Sequence, residues 1–473
     1  MTRGEAAVAL GSFGACLISV FMQMIDVTIV TTALPVITGD LGASQSQQLW
    51  MVAGYSLAFA CVLLTAARLG AILGRRRMFL WSAAAFTLAS LWCGMSASAL
   101  ELVAARIVQG VAGAGMAAQT IAVITASFRR DHQPYAFAAY GATAGFAGML
   151  GPIVGGALVT LNPFGLGWHV IFLMNLPLGV LAIGLALKYL KIGPAPERPP
   201  LDLRGSVIAA AALFLLLFAL ADSQHGGWRP AHGAYLTAAL ALGGLFVAYE
   251  RATRRRGGIA LVRLDLFADK GFAVGSVLVT IFFGLFTAFV FTVSILLQEV
   301  LRFSVLRTGI AMTPFAIGAG AGALVSPILV HRFGIRVLAA GVAFFGFWVA
   351  VGVGYLYVGG GAVNLALVTA PVFLSGFGVG VFGVPLQPIM LAGLDDRDMG
   401  EASGLLPTVE QIGNSVGLAV LSALFFRSHT LTGSMAMLSA IAVTALGLGV
   451  LTLALPDRRA TLGSTPWSRV ATP

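Results

Sequence analysis

Asp26, Arg106 and Glu410 each sit deep inside a long apolar stretch, while nearly every other charge lies at or beyond a stretch end. An ionised side chain at the centre of a bilayer costs at least ~2.5 kcal/mol, so such residues are kept for ion binding, proton relay or mutual neutralisation. A carboxyl group takes up and releases a proton. A guanidinium does not, and serves as a fixed counter-charge with five donors. Asp26 with Arg106 as its partner, and Glu410 as a second acid far along the chain, therefore form a proton-binding inventory. Amides accompany them: Gln23 lies three residues before Asp26 on the same helical face, Gln109 one turn beyond Arg106, Gln387 in another apolar stretch, and Gln411 beside Glu410. Neutral donors and acceptors around an acid suit a cavity that takes cations or neutral amphiphiles.

The elements that must position these groups are membrane helices. Hydrophobic residues make up 58% of the chain and charged residues 10%, with a mean hydropathy of +0.94, far from the composition of soluble domains. Fourteen stretches read as spans: 10–35, 49–65, 78–95, 102–126, 136–161, 170–190, 203–220, 234–249, 272–297, 309–330, 337–358, 365–391, 402–426 and 435–455. The seventh and eighth are the shortest. With the N-terminus inside, 23 of the 28 Lys and Arg fall in cytoplasmic segments or adjoining span ends, so both termini are expected in the cytoplasm. At 1.5 Å per residue, Asp26 then lies ~24 Å along an outward-running helix and Arg106 only ~6 Å along an inward-running one. Both belong to the outer half of the membrane, where they can meet. Glu410, ~12 Å in from the cytoplasmic face, is nearer the middle.

The formal charge of +10 does not indicate nucleic-acid binding, because the basic residues are spread over short cytoplasmic segments as topology requires. Cys16, Cys61 and Cys93 lie within separate spans and have no metal-ligand spacing, so neither a disulfide nor a metal site is expected. There is no Gly-x-x-x-x-Gly-Lys-Ser/Thr loop, and the six His lie in loops or at span ends, which argues against an ATP-driven machine and against an intramembrane enzyme. No cofactor is expected.

Two breaks divide the chain into six spans, two, and six. The first is the basic, Pro-rich stretch 191–204, and the second is 250–270, which holds Arg254 to Arg256. The expected domains are an N-terminal six-helix bundle at 1–191, a linker with two additional helices at 192–270, and a C-terminal six-helix bundle with a short tail at 271–473. A faint repeat relates the bundles. The turn after the second span carries Arg68, Gly74, Arg75 and Arg76, and its counterpart after the tenth carries Arg332, Gly334 and Arg336. Halves related in this way rock around a midplane site in transporters.

The motifs are more specific. Asp26-Val27-Thr28 through Pro35, Arg106-Ile107-Val108-Gln109-Gly110, Gly151-Pro152-Ile153-Val154-Gly155-Gly156, the stretch Trp168 to Gly179 with Phe172, Asn175 and Pro177, and the stretch Gly400 to Gly417 occur in this order. Together they resemble the fourteen-span drug:proton antiporters of the major facilitator superfamily. The resemblance implies an all-α integral membrane protein with two six-helix bundles plus two extra helices. It also implies a multidrug efflux antiporter in a bacterial plasma membrane that exchanges small molecules for protons by alternating access and is monomeric. An exporter of an endogenous metabolite, antibiotic or lipid has the same fold and the same motifs. Gly151, Pro152, Gly155 and Gly156 would be the antiporter motif, and Arg68, Gly74, Arg75, Arg76, Arg332 and Arg336 the cytoplasmic gate. One departure stands out: where the family carries an acid in the loop after span two, this chain has Ala71. A weaker latch, or one made by other groups, is expected there. The same residues also admit structural readings, with Arg106 bonding helices together and the glycines simply allowing close packing.

Overall fold

Long apolar runs with few charges have one stable solution in lipid, the α-helix, because it satisfies its own backbone. The computed structural model describes residues 3–128, 133–191, 202–226, 228–258, 262–359, 364–391, 393–394, 396–425 and 430–456, and all regular structure among them is helical. In chain order the helices are α1 (Arg3–Asp40), α2 (Gln45–Leu73), α3 (Arg75–Met95), α4 (Ala99–Ser127), α5 (Gln133–Leu161), α6 (Val170–Leu173), α7 (Asn175–Tyr189), α8 (Leu203–Gly226), α9 (Pro230–Arg255), α10 (Lys270–Ile295), α11 (Val305–Phe333), α12 (Arg336–Val358), α13 (Leu365–Leu391), α14 (Asp396–Phe425) and α15 (Leu431–Thr452). The Pro-rich residues 192–201, the tail from 457, and Arg129, Arg130, Arg198, Arg427, Arg458, Arg459 and Arg469 lie outside the described residues.

Thirteen helical segments among the described residues are long and apolar enough to cross a membrane. The one expected span not among them, 402–426, lies in α14, whose 30 residues suffice in length. Its apolarity is diluted by Glu410, Gln411 and Asn414, the residues that make it interesting. The expected short pair is longer than its apolar stretches suggested, with 24 residues in α8 and 26 in α9.

Helix starts follow local chemistry. Ser44 and Gln47 form a capping box at α2, and Ser98, Asp269, Ser304 and Thr430 accept backbone N–H bonds at the starts of α4, α10, α11 and α15. The α2–α3 turn hinges on Gly74 with φ +97° and the α11–α12 turn on Gly334 with φ +70°, a conformation that only glycine adopts cheaply. Those are the two positions of the sequence repeat.

The helices cluster into two units. The first comprises residues 1–136, 154–265 and 400–408, the second 137–153, 266–399 and 409–473. In the first, Phe79, Phe86, Tyr55, Phe59, Leu63 and Met22 form one buried cluster, and Ile29, Ile37, Met51, Trp168, Ile171 and Phe172 a second toward the other end of α1. Helix α8 joins this unit by packing Leu217 against Leu57 and Ala60 of α2.

In the second unit Phe289 stacks on Phe315 at 5.0 Å and meets Phe345 edge-on at 5.4 Å, while Phe282 packs on Phe382 at 4.7 Å. Helices α11 and α13 touch along Gly318, Gly322, Gly376 and Gly380. A Cβ at Gly380 would sit 2.6 Å from Ala323 N, so backbone meets backbone. Gly380→Leu is expected to cost at least ~1–3 kcal/mol through overpacking. Gly447→Leu, at a position with nothing within 4 Å, should cost little. Thermal unfolding and size-exclusion profiles of the two variants in detergent check this contrast.

Candidate functional site

In the middle of the first unit, α1, α2, α3, α4 and α7 converge on Asp26, which is 0% exposed. Arg106, on the second turn of α4 and 1% exposed, forms an ion pair with Asp26 Oδ2 through one terminal nitrogen. The same nitrogen donates to Gln109 Oε1 at 2.7 Å, and Arg106 Nε donates to the Met51 carbonyl at 3.0 Å. The Tyr55 ring lies 4.5 Å beneath the guanidinium carbon and the Phe172 ring 5.9 Å from it. Aromatic faces bring negative potential without needing a hydrogen bond, so they suit a buried cation.

Asp26 Oδ1 accepts from Gln109 Nε2 at 2.8 Å and from Asn175 Nδ2 at 3.3 Å. Gln109 Nε2 also donates to Ser90 Oγ at 2.9 Å, and Cys93 Sγ lies 3.5 Å from Gln109 Oε1. The carboxylate is thus matched by one cation and two amides in a water-poor interior. A full charge survives there only under such matching. Chemically, the arrangement stores one negative charge whose loss by protonation would leave the guanidinium without its counter-charge and turn a pure acceptor facing two amides into a group that also donates.

The structure therefore joins Asp26, Arg106 and Gln109, all three singled out by sequence. Gln23, expected on the same face, is buried and donates to the Ser19 carbonyl of its own helix at 3.0 Å instead. Ser90, Tyr55 and the Met51 carbonyl carry no sequence signal, being neutral groups on other helices. Asn175 was visible only as part of a motif.

In the second unit Glu410 is half-buried on α14, and its Oε1 accepts from Gln387 Nε2 of α13 at 2.5 Å. Its neighbour Gln411 accepts from Asn414 Nδ2 at 3.4 Å, and Asn414 Oδ1 accepts from Thr287 Oγ1 of α10 at 2.6 Å. This polar strip uses amides and a hydroxyl where the first unit uses a guanidinium.

Gly151, Pro152, Gly155 and Gly156 are buried on α5. A Cβ at Gly155 would come 2.7 Å from Ile29 Cγ1, one turn past Asp26 on α1. Of the turn residues, Arg75 donates to the Ala122 carbonyl near the end of α4 at 3.1 Å and Arg76 to the Leu187 carbonyl near the end of α7 at 2.9 Å. Basic groups at helix C-termini match the negative end of the helix dipole. Arg68 is half-buried and engaged within the protein. In the second unit Arg332 lies over its neighbour Phe333 at 5.4 Å, and Arg336 is exposed at the start of α12.

A family model for the Major Facilitator Superfamily matches residues 16–418, from before Asp26 to beyond Glu410. The chain belongs to the Major Facilitator Superfamily. It is accordingly a multi-pass membrane transporter of small molecules.

Among its relatives in the superfamily, a protein of Streptomyces coelicolor described as a probable actinorhodin transporter is 37% identical over 88% of this chain and 72% of its own length. A cephamycin export protein of Amycolatopsis lactamdurans is 33% identical over 92% of this chain and 90% of its own. A multidrug resistance protein of Mycobacterium tuberculosis, Stp, is 30% identical over 86% and 74%. The crystal structure of the human organic anion transporter MFSD10 covers 95% of this chain and 99% of its own, with a TM-score of 0.60 at 16% identity, a likeness of fold.

Removing one member of a buried ion pair leaves the other uncompensated, at a typical cost of ~3–5 kcal/mol. Asp26→Asn is expected to lower thermal stability by about that amount. The double variant Asp26→Asn/Arg106→Gln should regain much of the loss, a non-additivity that a double-mutant cycle of unfolding in detergent reads directly.

Proposed function

We propose that this transporter is a proton-coupled efflux antiporter that works by alternating access and exports amphiphilic or cationic compounds from a bacterial cell. The reading rests on Asp26, a fully buried acid held by Arg106, Gln109 and Asn175. Protonation of this acid from the outside removes the charge that holds the cluster together and releases substrate. Deprotonation toward the cytoplasm rebuilds it for the next cycle.

Each proton moving inward gains ~2.3 kcal/mol per 100 mV of membrane potential. A pH difference adds ~1.4 kcal/mol per unit. Glu410 supplies a second acid, and Gln387 and Gln411 the polar handles around it. Two acids could balance a dication that one would leave partly uncompensated. In this reading the protein sits as a monomer in the plasma membrane with both termini in the cytoplasm, and Arg68, Arg75, Arg76, Arg332 and Arg336 close its cytoplasmic side.

The relatives' descriptions support export of drugs or antibiotics, and two of them favour a second reading, a dedicated exporter of a single antibiotic. A substrate panel separates the two. A multidrug antiporter accumulates several unrelated dyes in inside-out vesicles under a proton gradient, whereas a dedicated exporter moves one chemical class. Asp26→Asn is expected to abolish gradient-driven accumulation, and persistence of uphill transport in that variant would overturn the coupling role. Glu410→Gln should reduce export of dications most, monocations less and neutral compounds hardly at all. Equal loss across the three classes would assign Glu410 to coupling or gating.

A further inference from the structure

Three donors surround Asp26, and two of them, Arg106 and Gln109, belong to one turn of α4. The third is Asn175 of α7, whose Nδ2 lies 3.3 Å from Asp26 Oδ1 and 3.4 Å from Ser90 Oγ. Gln109 Nε2 makes the same two contacts at 2.8 and 2.9 Å. Asn175 therefore duplicates bonds already made, yet it is only 1% exposed and its carbonyl Oδ1 is buried with no hydrogen-bond partner. A carboxylate only accepts, so Nδ2 is the atom that must face Asp26 while it is ionised. An unmatched amide oxygen in a protein interior is a cost that calls for a role in another state.

The helical backbone is interrupted at this point. Asn175 opens α7 immediately after the interruption at Met174 that ends α6. Pro177 has no N–H to return to the Leu173 carbonyl, so the helical ladder is broken there.

We infer that Asn175 is a positioning residue that senses whether Asp26 carries a proton and passes that state to the α6–α7 break. The inference rests on the coupling role proposed for Asp26. With Asp26 ionised, Nδ2 donates to Oδ1. When Oδ1 takes a proton from the outer medium, its new O–H meets Nδ2, donor against donor. The amide turns over, Asn175 Oδ1 accepts the Asp26 O–H, and the Ser90 hydroxyl donates to the same oxygen. Gln109 goes on donating to Asp26. Nδ2, now turned away from Asp26 and Ser90, has lost the two acceptors it holds here, so protonation favours a shift of the first turn of α7. The charged and titratable groups that face Asp26 are Arg106 from α4, Tyr55 from α2 and Cys93 from α3, whereas the bonds of Asn175 go to Asp26 and Ser90.

Infrared difference spectroscopy of the full-length protein in lipid, titrated from alkaline to acid, reads the C=O stretch of protonated Asp26, assigned by its loss in Asp26→Asn. Asn175→Leu, of similar shape and without polar atoms, is expected to move that band to higher frequency, because the carboxyl loses its acceptor. Asn175→Ser, which keeps an accepting oxygen, should move it less, and it carries the test alone if the Leu variant does not fold. In vesicles Asn175→Leu should equilibrate substrate but lose proton-driven accumulation. A band at the wild-type frequency in the folded variants overturns the inference whatever transport does. Absence of an Asp26 band at every pH overturns the inference together with the coupling role beneath it.

Discussion

A carboxylate and a guanidinium removed from water together survive only if each neutralises the other and their remaining hydrogen-bonding capacity is met. The Asp26–Arg106 pair imposes that condition on the whole first unit. Its partners come from α2, α3, α4 and α7, so these helices must approach α1 closely and at defined rotations. Small residues make the approach possible. A Cβ at Gly113 would come 2.8 Å from the Tyr55 hydroxyl, and one at Gly110 would collide with the Tyr55 carbonyl oxygen. Gly94 admits Leu173 in the same way, with 2.7 Å to its Cδ2. A larger side chain at any of these positions would push apart helices that the charge pair needs together.

The second unit solves a milder problem. Glu410 is half-buried and bonded to an amide, and its surroundings are held by aromatic stacking and glycine seams. In the proposed mechanism that division would suit two different tasks, the acid in the stoichiometric cluster answering to a proton and the acid on the partly open polar strip answering to cargo of varied charge and shape. The polar content of α14 is also what makes it the least membrane-like of the long helices among the described residues.

The basic turn after α2 finds its acceptors inside its own unit. With Ala71 in place of an acid, Arg75 and Arg76 still have acceptors, the carbonyls near the ends of α4 and α7 within their own unit. A guanidinium needs acceptors, and a carbonyl oxygen has two lone pairs, so one near a helix end can accept from a side chain as well as from its own helix.

Much of this was legible in the residues themselves. Hydropathy placed the spans, Ser and Asp caps marked several helix starts, and Gly74 and Gly334 located two equivalent turns. Depth along the helix was enough to pair Asp26 with Arg106, because rise per residue is a local property and a lone buried charge demands an opposite one. The neutral partners were not legible. Ser90, Tyr55 and the Met51 carbonyl carry no charge to be balanced, and Gln23, on the expected face, turns instead to its own helix backbone. Periodicity tells which residues share a helical face, but the rotation of five helices about their axes, and hence which amide reaches the acid, is decided by how their side chains and glycines pack against one another.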